Sequence, residues 1–303
     1  MRVFITGGTG LIGSAVLKNL IAHDHKVFAL ARSENSKNNL ITAGATPIMG
    51  DITEPEIWCA DLPEIDSFIH TACDFSDQMA KIDATLLDQL IPALHRQARP
   101  VRLIYTGGIW MYPESSPSDP MMDETTAFAP LPEFQWGIAG INRVLSDEKI
   151  DGIILHPACV YTSGEDGRTG HFDRDIDTIK TQNRVTVIGG DEIYQPLVHA
   201  NDLADLYRLA LEKAKPGSSY IGSTIHDLSN RAAADLIARH FGSGNTRVET
   251  ITAETAMARL GDWARGLAHS QHFSSAKAQR ELGWNPKHRD IEDAIRTIKA
   301  QKT

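Results

Sequence analysis

The residues best suited to chemistry open the chain, in the run Thr6-Gly7-Gly8-Thr9-Gly10-Leu11-Ile12-Gly13. Apolar Val3-Phe4-Ile5 precedes this run, and Ile12, Val16, Leu17, Leu20 and Ile21 recur at helical spacing after it. Glycines between a strand and a helix allow a tight turn, close approach of the backbone to an anion, and close strand–helix packing. The unpaired N–H groups of the helix N-terminus then receive a pyrophosphate. Gly7, Thr9, Gly10, Leu11, Ile12 and Gly13 are therefore expected to bind a dinucleotide. No Gly-Lys-Ser/Thr ending is present, which argues against a mononucleotide phosphate loop. The end of the second strand selects the dinucleotide. An NAD(H) site usually places Asp or Glu there for the ribose hydroxyls. This chain has Ala31, then Arg32 and Ser33, and a guanidinium suits a 2′-phosphate. NADP(H) is expected ahead of NAD(H); the plainer reading of Arg32 is a solvated arginine.

Groups able to move a proton are fewer. Asp74 follows the fourth candidate strand and Thr106 closes the fifth, at the carboxyl ends where ligands bind in such sheets. Tyr112 and Tyr161 lie on loops at the same edge. If buried, Asp74 could act as an acid through a raised pKa; otherwise it is a helix N-cap. Both tyrosines could equally be packing residues. Asp74, Phe75, Trp110 and Trp136 are the candidate substrate pocket, with core packing the alternative for the tryptophans. His269 and His272 have helical spacing but no clear acidic partner, so no metal is expected. Asp173, Asp175 and Asp177 read as a solvated face, and no GxSxG marks a hydrolase elbow.

Positioning such groups requires a scaffold, and the apolar rhythm supplies one. Candidate strands are Arg2–Thr6, Lys26–Ala31, Thr46–Met49, Ser67–Thr71, Arg102–Thr106 and Gly152–His156. Most lack polar alternation, as strands buried on both faces do. Alternation with helices predicts an α/β fold, a doubly wound parallel (Rossmann) sheet with a small C-terminal α/β substrate region. Residues 1–162 form the dinucleotide-binding part, with 190–222 returning to it; 163–189 and 223–303 form the C-terminal region. A helix is expected over Asp202–Ala214. Five prolines between Tyr112 and Pro132 make that stretch irregular, hence functional or mobile.

Composition narrows the partners. The 303 residues carry a net charge of -9, which repels a phosphate backbone and disfavours nucleic acid. No apolar stretch approaches the ~20 residues of a membrane span. Three scattered cysteines suggest neither a disulfide framework nor a metal site. With apolar residues starting at Val3, no signal peptide is expected, and the location is expected to be cytoplasmic.

Taken in order, these motifs resemble the short-chain dehydrogenase/reductase superfamily in its extended or atypical form, related to NAD-dependent epimerases and dehydratases. The opening TGGTGLIG is similar to TGxxGxxG. Gly50-Asp51-Ile52 resembles the element that contacts adenine, and Ile69-His70-Thr71-Ala72 the strand lining the cofactor. Leu155 to Tyr161 is similar to RPGxVYG with His156 in place of arginine, and Pro196 to Ala204 to xxVHVDDLA. Ser274 to Pro286 is similar to the close of extended members. The resemblance implies that Asp51, Ile52, Thr71, Ala72, Thr106 and Pro157 also line the cofactor. It implies a Ser/Thr, Tyr, Lys active site as well, which this chain lacks: no tyrosine precedes a lysine by four, Gly107 stands at the serine position, and Phe134 and Ile138 stand at the Tyr and Lys. A subgroup without the tyrosine is the nearest match, through Tyr105–Trp110 and Asp74-Phe75. Two functions follow as expectations. One is an NADP(H)-dependent oxidoreductase, or a related epimerase or dehydratase, reducing a small carbonyl or sugar-like substrate with a non-standard proton donor. The other is a non-catalytic NADP(H) sensor. A homodimer is expected only from the family resemblance.

Overall fold

The structure, a computed structural model, describes residues 1–302. Its strands are β1 (Arg2–Thr6), β2 (Lys26–Ala31), β3 (Thr46–Met49), β4 (Ser67–His70), β5 (Val101–Thr106), β6 (Ile150–Pro157), β7 (Cys159–Tyr161), β8 (Arg184–Ile188), β9 (Leu197–His199), β10 (Ser218–Gly222) and β11 (Arg247–Ile251). Its helices are α1 (Leu11–Ala22), α2 (Glu34–Thr42), α3 (Pro55–Cys59), α4 (Met79–His95), α5 (Gly137–Ser146), α6 (Asp173–Gln182), α7 (Ala200–Lys213), α8 (Asn230–Phe241), α9 (Ala253–Leu260), α10 (Ala276–Leu282) and α11 (Ile291–Lys302).

Seven strands form one parallel sheet in the order β10-β6-β5-β4-β1-β2-β3. Chain order reverses direction at β1, so β4 and β2 flank it and a crevice opens at the carboxyl ends of β1 and β4. Ligands bind such sheets at this switch point. The register brings the ends level: Thr6 faces His70, His70 faces Tyr105, and Thr106 faces Leu155. All four residues of β4 are buried, as expected of a strand covered on both faces. Among the helices, α1 lies against α7, and α4 touches both α3 and α5.

A second apolar cluster, containing Phe172, Ile176, Val187, Ile237, Ile295 and Ile298, builds the C-terminal region. It is joined by two short parallel ladders, β7 with β9 and β8 with β11. The helix read as Asp202–Ala214 starts earlier, at Ala200, because the His199 side chain caps it by accepting from the Asn201 N–H at 3.1 Å. The proline-rich stretch has only one short 3-10 turn, Pro132–Phe134, yet it is tied down. Ser115 and Met122 donate backbone hydrogen bonds to Ser270 and His272, both at 2.9 Å. The buried Gln271 amide donates to the carbonyls of Ile109 and Tyr112 at 2.8 and 3.1 Å. Among the described residues no helix is long and apolar enough to cross a membrane.

Candidate active site

The glycine run turns from β1 into α1 against the end of β4. Gly7 adopts φ 76°, which a side chain would strain, and a Cβ there would lie 2.8 Å from both the Ala72 nitrogen and Thr71 Oγ1. A Cβ on Gly13 would run into the Gly7 carbonyl, which accepts from the Gly10 N–H at 2.8 Å. Thr71 Oγ1 donates to the Thr6 carbonyl at 2.7 Å and so fastens the two strand ends together. Gly10 caps α1 without a side chain, and no acid stands in the first turn. The helix therefore begins with open N–H donors and an uncompensated positive end. Thr9 is exposed, Leu11 half-buried, and Ile12 packs on the core.

Arg32 is exposed at the end of β2. Ser33 instead caps α2 in a reciprocal arrangement with Ser36, its hydroxyl accepting from the Ser36 N–H at 3.2 Å. Asp51 accepts from both the N–H and the hydroxyl of Thr53 at 2.9 Å, and its carbonyl accepts from the Trp58 indole at 2.8 Å. Ile52 and Ala72 line a cavity of about 20 Å³ together with His70, Asp74 and Trp136, room for about one water. Pro157 ends β6 beside Gly222 of β10.

The candidate proton donors are placed unequally. Asp74 is exposed, and its carboxylate takes the N–H and hydroxyl of Ser76 at 3.1 and 2.6 Å. The burial that an acid role for Asp74 requires is therefore missing. Thr106 Oγ1 donates to the His70 carbonyl at 2.5 Å and lies 2.6 Å from the Tyr207 hydroxyl. Tyr112 is buried edge-on against Phe128, His156 and Phe273. Tyr161 is buried against Phe172 and His199, in the cluster of the C-terminal region, and its hydroxyl has no hydrogen-bond partner among the described residues. Burial pushes the pKa of both phenols up and weakens them as acids.

Two differences from the family pattern turn out to be one. A Cβ on Gly107 would lie 2.7 Å from His156 Nδ1, so the imidazole occupies the room a serine would need. His156 is fully buried, desolvation lowers its pKa to about 4, and its Nε2 has no partner among the described residues. Three residues along from Gly107, Trp110 lies flat over Gly266 and stacks on Trp263, and Phe134 packs on the Trp110 ring; the rings on His156 itself are Tyr112 and Phe128. The exposed Phe75, at φ 52°, reaches Trp263 from the other side. Glu133 pairs with Arg265 at 2.8 Å across this aromatic cover. A closed polar chain lies deeper: Thr6 Oγ1 is 2.7 Å from His70 Nδ1, and His70 Nε2 is 3.5 Å from Asp83.

The family model for NAD-dependent epimerases and dehydratases matches residues 3–222. The chain belongs to this family. Its members use NAD(P) nucleotides, and the glycine turn fits one: Gly7 and Gly13 pack too closely on the end of β4 and on the turn itself to carry side chains, and α1 lacks any capping side chain. The chain is 28% identical to an uncharacterized protein of Schizosaccharomyces pombe over 95% of its own length and 96% of the relative's. It is 23% identical to the dTDP-6-deoxy-L-talose 4-dehydrogenase (NAD(P)(+)) of Kitasatospora kifunensis, covering 98% and 94% of the two chains. In fold it is similar to human epimerase family protein SDR39U1 solved with NADPH, at TM-score 0.78 and 18% identity over 99% of each chain. It also resembles the dTDP-glucose 4,6-dehydratase DesIV of Streptomyces venezuelae solved with NAD, at TM-score 0.80 and 16% identity over 100% and 97%.

Several residues of this family member escape sequence reasoning. Gln271 and the Glu133–Arg265 pair are set by contacts across more than a hundred residues. The three aspartates read as a solvated face divide. Asp173 accepts from Thr169 and Gly170, Asp175 is buried beside Arg174, and only Asp177 is exposed. The glycine-rich Gly164–Gly170 segment carried a usable signal: one arginine, Arg168, set among glycines.

Proposed function

We propose that this family member is a cytoplasmic NADP(H)-dependent oxidoreductase that reduces a small carbonyl or sugar-like substrate. The observation that carries the reading is the glycine turn at the uncapped start of α1, packed too closely on the end of β4 for side chains, with an exposed Arg32 and no carboxylate closing β2. A bound nicotinamide supplies the hydride. Gly7, Gly10 and Gly13 seat the pyrophosphate, Arg32 pairs with the 2′-phosphate, and Asp51 faces the adenosine half. Thr71, Ala72, Thr106 and Pro157 line the nicotinamide half. Phe134 cannot move a proton, and Thr106, which closes β5 with its hydroxyl 2.6 Å from that of Tyr207, is the hydroxyl we assign to that task. The aromatic cover of Trp110, Trp263 and Phe75 excludes water from the reacting end.

One observation favours the second reading, a non-catalytic NADP(H) sensor. The space at the end of β4 is about 20 Å³, far below the several hundred Å³ of a substrate pocket. A cavity of about 520 Å³ lies instead at the amino ends of the strands, beside Arg2, Asp66 and Pro100. Two measurements decide. Titration with NADPH and NADH tests the cofactor, and tighter binding of NADH refutes the NADP(H) assignment. Oxidation of NADPH across a broad carbonyl panel tests catalysis, and no turnover with any substrate leaves the sensor.

A further inference from the structure

Arg168 reaches the glycine turn from the C-terminal region. Its Nη1 donates to the Thr9 carbonyl at 3.1 Å and its Nη2 to Ser14 Oγ at 3.0 Å, so the guanidinium straddles the start of α1. Electrostatically this is the wrong end of a helix for a cation. Nothing on α1 offsets it, since the first turn has no acid and the cap no side chain. Among the described residues the only carboxylate paired with the guanidinium is Asp166, two residues away on the same loop, which accepts from Nε at 3.0 Å. Arg168, with Lys18 of α1 adding to it, holds the Asp166 carboxyl below the usual range. A cation at the positive end of a helix adds to the attraction that the site has for an anion.

The arm is built, not loose. Thr162 Oγ1 donates to the Arg168 carbonyl at 2.5 Å, and the Gly167 N–H donates to Gly164 at 3.0 Å. On the far side the Asp173 carboxylate takes the N–H groups of Thr169 and Gly170 at 2.7 and 2.9 Å. Gly170 sits at φ 66° directly on Leu11, where a Cβ would come within 2.8 Å of the leucine methyl. Ser163 Oγ, 2.9 Å from His199 Nε2, anchors the loop to the start of α7. With its backbone fixed in this way, Arg168 loses little freedom on meeting a ligand.

We infer that Arg168 binds the pyrophosphate of the dinucleotide, exchanging the Thr9 carbonyl, the Ser14 hydroxyl and Asp166 for phosphate oxygens. This rests on the dinucleotide reading above. A guanidinium fork matches phosphate geometry, and a charged acceptor outranks a carbonyl or a hydroxyl. Asp166 is then the resting partner that the anion displaces.

The test is equilibrium binding of NADPH and NADH to the full chain, by calorimetry, for wild type, Arg168→Gln, Arg168→Lys and Asp166→Asn. Because both nucleotides share the pyrophosphate, Arg168→Gln weakens both by the same factor, about 10- to 100-fold. Arg168→Lys, which keeps the charge but loses the fork, falls in between. Asp166→Asn, which frees the guanidinium, tightens both. The inference is overturned if Arg168→Gln binds as wild type does, or loses affinity for NADPH alone, which would make Arg168 a 2′-phosphate residue. It is also overturned if Asp166→Asn weakens binding as much as Arg168→Gln, the mark of a merely structural pair; melting of each variant without nucleotide reports any loss of fold. Failure of wild type to bind either nucleotide overturns the dinucleotide reading itself, and this inference with it.

Discussion

The two ends of the crevice differ in what they are made of. At the β1–α1 turn the work is done by backbone: glycines that no side chain could replace, open N–H groups, and a Thr71 hydroxyl that fastens one strand end to the next. At the ends of β5 and β6 the work in this family belongs to side chains, and here they have changed together. Glycine stands at the serine position, an imidazole fills the vacated room, and the rings of Tyr112 and Phe128 pack on that imidazole. A backbone site tolerates almost no drift, because each glycine is fixed by a neighbour's carbonyl or nitrogen. A side-chain site can be rebuilt in pairs, as Gly107 and His156 illustrate. The cofactor end has the glycine turn of the family, while the side chains at the ends of β5 and β6 differ from the pattern that the family resemblance implies.

The hardest blow to that contrast is Gly13→Ala. Its methyl meets the Gly7 carbonyl, a backbone group already engaged by Gly10, so neither can retreat. Dinucleotide affinity falls at least about 100-fold and melting drops by several degrees. Wild-type affinity in this variant, measured by calorimetry, breaks the claim that the turn is sterically closed. Arg32→Ala is the next largest effect. It weakens NADPH by about tenfold or more and leaves NADH unchanged, as loss of one charged hydrogen-bonded pair does. An equal loss for both nucleotides removes Arg32 from the 2′-phosphate.

The reacting end is tested by a double-mutant cycle. Gly107→Ser forces a side chain into the imidazole and costs about 1–3 kcal/mol of stability by overpacking. Combined with His156→Ala, which vacates that room, the serine costs measurably less than it does alone. Denaturant unfolding of the four proteins gives the coupling, and strict additivity ends the idea that the two positions changed as a unit.

The sheet and the glycine turn were legible because their signals are local. A buried strand is an unbroken apolar run, and a pyrophosphate turn is three glycines at fixed spacing. The order of motifs likewise placed the family, since each is a short segment. What was not legible is of two kinds. Some local side chains open to chemistry serve the chain itself: the Asp74 carboxylate bonds Ser76, two residues on, at the surface and not a substrate below it. Ser33 looked free for a phosphate, yet an ordinary capping box with Ser36 uses its hydroxyl. The proline-rich stretch reads as functional or mobile because prolines exclude regular structure, and its order comes from Gln271 and Ser270 far along the chain. Arg168 is the same lesson at the cofactor end: a backbone site can still recruit a distant side chain.

The gentlest probe of the contrast is pH. His156 and His199 are buried neutral, each with its pKa lowered to about 4, by desolvation first and for His199 also by the stacked His288. Unfolded, each titrates near 6.5. Between those values the unfolded chain binds more protons than the folded one, so stability is complete above pH 6.5 and declines as pH falls toward 4. The slope is at most about 1.4 kcal/mol per pH unit for each histidine. His171, also lowered to about 4, adds to the same window. Urea unfolding at pH 7, 6 and 5 therefore shows falling stability in wild type and a shallower fall in His156→Asn. An unchanged slope in that variant means that His156 already carries a proton when folded. The reacting end would then hold a cation where the family resemblance expects arginine, and its apparent loss of charge, the feature that most separates it from the cofactor end, would disappear.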